Sequence, residues 1–567
     1  MSKKHKKKHA KLPVEEHRVV KPEMTEENSP YSKWEHPAYY IILFILVLVA
    51  YINSLNNDFV SDDTYGIMNN PLVGEFSSVK NQALHYLQPL LYYILTNTAG
   101  LVPFWFRILN VLAHIGNVFL IFTIFSILST PLVAFMTAAI FAIHPINIEA
   151  VAWISGGPYS WYTFFFLLSF WLYVKAFKNE KRKWLYYSLS IISFLQSLSV
   201  GIPAVVLSGV LFLYEYLFGK LSKRWQYLVP FFIFSTIFGI IAVSGVATRE
   251  HVFKVDHYQT ITNYNPLLQI PVAISSYFEM YVWPAGLTLY HSEMNFSKIQ
   301  FVSKVIVLLI YLASLILSFF KSKPIFFGLA LFLIGLVPTL TPQSIHWVVA
   351  ERYAYFSMIG VVFVTAYLLA KIPKKYEAVM FLTLIIIILS LTIRTIVRNN
   401  DWKNEDNLWI ATGKTSPSDP KTHNNLGDVY TRHGDYAKAA EELITAIKLN
   451  PNYGDAYHNL GNVYQRAGQP QAALQMYQKA LQINPRLWQA YQNIGALYFS
   501  QKEYATASAY MKKATDLNPY NAQLHTFIGI IELNNGNKEV ARKEFTIALQ
   551  LDPHMDIARQ GLQELNK

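Results

Sequence analysis

Cysteine is absent from the 567 residues. Disulfide frameworks, thiolate metal sites and cysteine nucleophiles are therefore excluded. Charge is scarce as well. Asp, Glu, Lys and Arg together supply 15% of the chain, against roughly 25% for a soluble domain, which argues against a single soluble globule. Glycine (25) and proline (26) stand at ordinary levels and aromatics reach 15%, so collagen-like and disordered classes fail too. There is no G-x-x-x-x-G-K-[ST] loop, no HExxH and no G-x-S-x-G. Nucleotide-phosphate chemistry of the P-loop kind is disfavoured on that ground.

What is abundant is apolar residue, at 53% with a mean hydropathy of +0.23, and positive charge, at a net +12. The excess charge is unevenly spread. Residues 1–36 carry nine Lys/Arg and six acids, residues 37–398 carry 22 and 13, and residues 399–567 carry 17 of each. An excess in and before the apolar part argues for membrane topology rather than a nucleic-acid footprint.

Residues 1–36 read as a disordered, basic, cytoplasmic tail, too polar for a signal peptide. From residue 37 to 398 come apolar runs near 37–55, 104–128, 131–147, 159–177, 184–199, 201–218, 227–246, 301–320, 325–341, 355–370 and 377–396. Many approach the ~20 residues that a bilayer span needs. Basic clusters lie at Lys175/Lys178/Lys181/Arg182/Lys183, Lys220/Lys223/Arg224, Lys321/Lys323 and Lys371/Lys374/Lys375. Eleven spans put all four on the side of the N-terminus. The ambiguous stretch Pro266–Leu287 is then a helix or re-entrant segment on the outer face, and everything after Arg398 lies outside.

That last part is an internal repeat. Leu426, Leu460, Ile494 and Ile528 recur every 34 residues, as do Pro451, Pro485, Pro519 and Pro553. Ala439, Ala473, Ala507 and Ala541 share the register. A 34-residue period with Leu-Gly-x-x-Tyr, small alanines and a late proline is the tetratricopeptide pattern. Four repeats are expected at 420–453, 454–487, 488–521 and 522–555, with a closing helix at 556–567. Residues 399–419 read as a linker that supplies a half-repeat. The fold class is thus all-α: a polytopic helix bundle of about eleven spans followed by an extracytoplasmic α-solenoid.

Several polar groups stand out. Asn56-Asn57-Asp58-Phe59-Val60-Ser61-Asp62-Asp63 follows the first span. Adjacent acids can act as a general base plus an orienting or metal-binding partner; the competing reading is a helix cap at Ser61 or Asp62. Glu149, after His144-Pro145, reads as a cavity wall or as a satisfied surface polar pair. Arg352, in Glu351-Arg352-Tyr353, suits a lipid-linked phosphate or a loop-fixing contact with Glu351 or a carbonyl. Arg107, Asn110, His114 and Asn117 share one helical face, which favours interhelical hydrogen bonding. Trp283, Tyr290 and His291 suit an interface belt.

Taken in order, Phe59-Val60-Ser61-Asp62-Asp63, Tyr86-Leu87-Gln88-Pro89-Leu90, His144-Pro145 with Glu149-Ala150-Val151-Ala152-Trp153, Trp283-Pro284-Ala285-Gly286-Leu287, Glu351-Arg352-Tyr353-Ala354-Tyr355, Asp401-Trp402 and the repeats resemble one family. It is that of the transmembrane-and-tetratricopeptide-repeat protein O-mannosyltransferases and their bacterial relatives, of GT-C fold. The resemblance covers roughly residues 37–567. It implies a polyprenyl-phosphate sugar donor, most simply mannose, and a Ser/Thr acceptor on a protein. Asp62 or Asp63 would be the base, with a divalent cation (Mg or Mn) on that pair as an open question. Arg352 would hold the leaving phosphate, and Glu351, Glu149, His144, His346, His85 and Gln88 would line the donor site. Three departures stand against it. Gln88, Ser155-Gly156-Gly157-Pro158 and Val200-Gly201-Ile202-Pro203 occupy places where relatives often carry cations. His85, His144, His346, Arg249 or Lys254 would have to compensate.

Asn425, Asn459 and Asn493 recur on the first helix of successive repeats, where Phe527 breaks the series. A similar asparagine ladder in nucleocytoplasmic O-GlcNAc transferase holds acceptor backbone, so a peptide-binding concave face is expected; the alternative is that these asparagines cap or cross-link repeats. Two other readings of the whole remain. One is a non-enzymatic membrane scaffold with a degenerate transferase domain, which the missing cations favour. The other is a transferase acting on a glycan or lipid. The lack of cysteine and the motif variants point to a bacterial cytoplasmic membrane.

Overall fold

The structure, a computed structural model, describes residues 35–82, 84–256, 266–289, 291, 297–340 and 349–566, and for 35, 36, 245–256 and 266–268 the backbone alone. Among the described residues all regular structure is helical.

Each apolar run forms helix. The long ones are Glu35–Tyr51, Pro103–Leu128, Pro158–Ala176, Lys183–Val200, Val229–Asp256, Lys298–Lys321, Ala354–Leu369 and Glu377–Asn399. By length and composition, five helices among the described residues suffice to cross a membrane, or seven if two bent pairs each count as one. Local chemistry sets the starts. Pro103, Pro131 and Pro158 occupy the first helical turn, where their missing N–H has no partner to lose. Ser297 and Gln300 form a capping box before the helix from Lys298. Pro266–Val282 is also a helix, interrupted in composition by Pro271.

Helix Pro131–Ile143 breaks at His144-Pro145, and the chain turns by 55° into the short helical stretch to Val151. That bend sends Glu149 sideways into the end of the bundle. The other end gathers three of the four basic runs. Lys183 Nζ meets Tyr227 Oη at 3.0 Å, the Arg224 guanidinium lies 4.5 Å from the Phe177 ring centre, and Lys323 Nζ donates to the Leu217 carbonyl. Pro158–Ala176 runs between the two ends with 19 residues, or about 28 Å at 1.5 Å per residue.

The repeats form paired helices: Pro420–Arg432 with Tyr436–Leu449, Gly454–Arg466 with Pro470–Ile483, Trp488–Ser500 with Tyr504–Leu517, and Ala522–Asn534 with Lys538–Leu551, closed by Asp556–Leu565. The recurring alanines are buried because they sit where paired helices touch. Gly434, Gly468 and Gly536 take positive φ between the two helices of their repeats, and the equivalent place in the third repeat holds Lys502 at φ 63°. Glu532, at the tyrosine position of the fourth repeat, is buried and accepts hydrogen bonds from Ser508 and Asn537. Helix Glu405–Thr415 joins the bundle to the stack. Gly413 abuts Leu426, and Asp406 pairs with Arg432 at 2.6 Å and His433 at 2.7 Å.

Candidate active site

Residues 55–60, between the 3₁₀ turn Ile52–Ser54 and the helical turn Thr64–Met68, have no regular structure of their own, so their backbone must find partners elsewhere. Arg107 supplies many of them. Its Nη1 donates to the carbonyls of Asn57 (2.6 Å) and Leu55 (3.3 Å), its Nη2 to that of Asp58 (2.9 Å), and its Nε to that of Ala152 (2.6 Å). Trp153 Nε1 donates to the Val60 carbonyl at 3.2 Å. From the far end of the membrane part, the Asp58 N–H reaches the Lys403 carbonyl at 2.9 Å, and the Ser61 N–H reaches Glu405 Oε2 at 2.8 Å.

This frame separates the two acids. Asp63 is fully buried. Its Oδ1 accepts from the Ser155 N–H (2.8 Å) and the Ser155 hydroxyl, and its Oδ2 from the Val60 N–H (3.3 Å). Burial pushes its carboxyl up to about 6, opposed by the Ser155 and Val60 hydrogen bonds and by Arg107. Asp62 is exposed, and its carboxylate has no hydrogen-bond partner among the described residues. Neither acid caps the following helical turn; Asp63, at its N-cap, turns its side chain to Ser155 instead.

Glu149 is fully buried, and its partner is Arg352. Oε2 accepts from both the Arg352 Nη1 (3.0 Å) and the Arg352 N–H (3.1 Å). Of the alternatives weighed for Arg352, the contact with Glu351 does not form. Glu351–Tyr353 is one 3₁₀ turn, so adjacent side chains diverge. Glu351 pairs instead with Arg398 at 2.6 Å. The Arg352 guanidinium also packs 5.4 Å from the Trp153 ring and 5.2 Å from that of Tyr353. Residues 149–155 are thus a keystone: Glu149 holds Arg352, Trp153 touches both loops, and Ser155 holds Asp63. Gly156 lets this turn close, since a Cβ there would lie 1.7 Å from the Glu149 carbonyl oxygen. No basic side chain fits at that place.

The remaining candidates divide. Arg107, Asn110, His114 and Asn117 are all fully buried and bond other segments: Asn110 to the Trp153 carbonyl, His114 to Tyr355 and the Ala142 carbonyl, Asn117 to Tyr355 and the Ser160 carbonyl. The stripe is an internal hydrogen-bond network. His144 engages both ring nitrogens within the fold, at the Tyr281 carbonyl and the Ile146 N–H. His85 meets the Ser199 carbonyl at 3.2 Å, and Gln88 lies beside Tyr92. Trp283 is exposed, as an interface residue would be, but His291 faces Glu351 at 3.7 Å. Tyr290 and His346, and the side chains of Arg249 and Lys254, lie outside the described residues.

The half-buried asparagine ladder is tied into the stack. Asn459 Nδ2 donates to Asn424 Oδ1 at 2.9 Å, Asn424 Nδ2 meets Asn425 Oδ1 at 3.3 Å, and Asn493 Nδ2 meets Asn462 Oδ1 at 2.7 Å and His458 Nε2 at 3.0 Å. Acid-pair metal binding fits poorly. Both Asp63 oxygens already face N–H or O–H hydrogens, and no group of three His, Asp or Glu converges among the described residues.

Sequence reasoning did not single out Glu405, Lys403, Trp402 or Ser155 as parts of this frame. Trp402 is buried with its ring 5.5 Å from that of Trp153. The signals were Asp401-Trp402, which the ordered motifs include, and Ser155, which stands where relatives often carry a cation.

The Tetratricopeptide repeat family matches residues 420–486 and 455–519 with one model and 493–556 with another. Protein O-mannosyl-transferase F38B6.6 of Caenorhabditis elegans is 25% identical over 447 residues, covering 70% of this chain and 60% of that protein. Protein O-mannosyl-transferase TMTC3 of Homo sapiens is 23% identical over 465 residues, covering 71% and 50%. These curated relatives are protein O-mannosyl-transferases. That is the family which the ordered motifs resemble. The chain spans half to three fifths of the length of these O-mannosyl-transferases. Among solved structures, that of MamA matches at 24% identity, 29% of this chain and 94% of that one, with a TM-score of 0.25.

Proposed function

We propose that this protein is a membrane glycosyltransferase that moves a sugar, mannose by its relatives' names, from a polyprenyl phosphate to a Ser/Thr hydroxyl of a protein. Eleven crossings would put residues 1–36 inside and the acid loop and repeats outside a bacterial cytoplasmic membrane. The separation of basic runs and acid loop by one 19-residue helix supports that arrangement. The observation that carries the function is the keystone. One short segment holds an acid loop through Ser155 and an arginine through Glu149.

In this reading Asp62 is the general base, because it is the exposed acid on a fixed loop, and buried Asp63 orients that loop. Asp62 takes the proton of the acceptor hydroxyl as its oxygen attacks the sugar C1 opposite the phosphate. The C1–O bond to phosphate breaks, the configuration inverts, and the polyprenyl phosphate leaves toward Arg352. General-base assistance is typically worth 10²–10⁴-fold. Glu149 aims the guanidinium and restrains it. Glu351, with Arg398, backs the same wall, and His85, Gln88, His144 and His346 stay as candidates for the donor cavity. The repeat arm recruits the acceptor. The fold itself already uses an amide N–H of Asn459 and of Asn493.

A non-enzymatic scaffold is the second reading. It is favoured by the fate of the other arginines: Arg107, Arg394 and Arg398 donate to carbonyls or carboxylates of the fold itself. Intact masses of exported proteins co-expressed with wild type or Asp62→Asn separate the two. Hexose additions lost in the variant support transfer; identical masses overturn the assignment.

A further inference from the structure

The acid loop is held from an unexpected quarter. Ser61, the residue before the acid pair, has φ 56°. This left-handed conformation is uncommon for a residue with a Cβ and persists only where surroundings hold it. The Ser61 N–H is held by Glu405 Oε2 at 2.8 Å. Glu405 begins helix Glu405–Thr415, 344 residues away in sequence. Its other oxygen, Oε1, accepts from Trp409 Nε1 at 2.6 Å, which fixes the carboxylate's direction. Two more contacts reinforce the same seam: the Asp58 N–H to the Lys403 carbonyl and Asn57 Nδ2 to the Asn399 carbonyl. The next residue along, Asp406, turns the other way and pairs with Arg432 and His433 of the first repeat. One helix turn therefore touches both the acid loop and the root of the repeat arm.

We propose that Glu405 is a positioning residue for glycosyl transfer: it holds Ser61, and so Asp62 and Asp63, in register with the base of the repeat arm. The proposal rests on the reading of the acid loop as the transfer site. Loss of Glu405 frees the Ser61 N–H and lets the strained turn relax, so Asp62 no longer points where the acceptor hydroxyl arrives. Donor and acceptor binding surfaces are untouched, and the defect falls on kcat.

The test uses the full chain in lipid nanodiscs, with a mannosyl polyprenyl phosphate as donor and a Ser/Thr peptide as acceptor. In Glu405→Ala, kcat is expected to fall about tenfold, with both KM values unchanged within about twofold. Amide exchange across residues 56–66 should quicken by about tenfold or more. Rescue is read in a Trp409→Phe background, which removes the second donor. There Glu405→Gln, whose one amide oxygen accepts from Ser61, restores kcat to within about threefold of Trp409→Phe alone. Unchanged exchange in Glu405→Ala overturns the proposal. So does faster exchange with wild-type kcat, or a rise in acceptor KM at constant kcat. If the wild type transfers no sugar, the reading of the site fails by itself, and the exchange measurement still decides whether Glu405 holds the loop.

Discussion

The repeat arm and the acid-loop end of the bundle are built on opposite principles. In the arm, a residue's partners lie within one repeat or in the next: Asn459 bonds Asn424 and Asn493 bonds His458, each 35 residues back. At the acid loop the decisive partners are remote. Ser155 meets Asp63 from 92 residues away, Arg352 meets Glu149 from 203, and Glu405 meets Ser61 from 344. An arm of local contacts tolerates loss of one contact as a local, additive change. A site assembled from remote contacts loses several at once when its keystone goes.

That contrast yields ordered predictions. The largest effect is expected at the keystone. Glu149→Ala leaves the Arg352 charge without its buried partner and should cost about 3–5 kcal/mol. Thermal unfolding of the membrane part should shift far more than that of the repeats; equal shifts would erase the contrast. In the arm, Asn459→Ala removes one cross-repeat hydrogen bond and should cost about 1 kcal/mol, read as a small drop in the arm's melting temperature. A loss of acceptor binding with no loss of stability would assign the ladder to peptide recognition instead. An effect of similar size and opposite sign is expected at Lys502. Lys502→Gly gives the third repeat the glycine that the other three have at this positive-φ place, for a gain of about 1 kcal/mol in the arm's melting and none in the bundle.

The pH response should also belong to one region. Asp63 is raised from 3.8 to about 6 by burial. Its protonated form is thus favoured by the fold, so this contribution to stability is complete below about pH 4 and is lost as pH rises through about 6. Activity runs the other way. Transfer should fall as pH drops through about 6, where Asp63 gains a proton and weakens its hold on Ser155. Ser155→Ala removes a hydrogen bond that lowers the Asp63 value, so its acid limb should move to higher pH. An acid limb unmoved in Ser155→Ala would detach Asp63 from the reaction.

The same contrast explains what was legible in the sequence. The 34-residue period announced the arm because each repeat carries its own packing instructions. The apolar runs announced the helices because composition alone drives them. The buried stripe from Arg107 to Asn117 was readable as hydrogen bonding because helical spacing puts it on one face. Partners across hundreds of residues leave no periodic trace. Nothing near Glu149 points to Arg352 rather than to the surface, and of the partners weighed for Arg352 (a phosphate, Glu351 or a carbonyl) none is Glu149, while a 3₁₀ turn sends Glu351 and Arg352 apart. The asparagine ladder was visible as a pattern, but its bonds to the neighbouring repeat depend on side-chain geometry that the pattern does not carry. Separating exposed Asp62 from buried Asp63 also needed Ser155, a residue whose only sequence signal was the absence of a cation.

In the proposed transfer, Asp62 is the base and sits on a loop fixed by the 149–155 segment. Purified wild type and Asp62→Asn in nanodiscs, given a mannosyl polyprenyl phosphate and a Ser/Thr peptide, test it most directly. Asp62→Asn is expected to lose about 10²-fold or more in kcat, with the melting temperature unchanged. Equal turnover by the two proteins would contradict it.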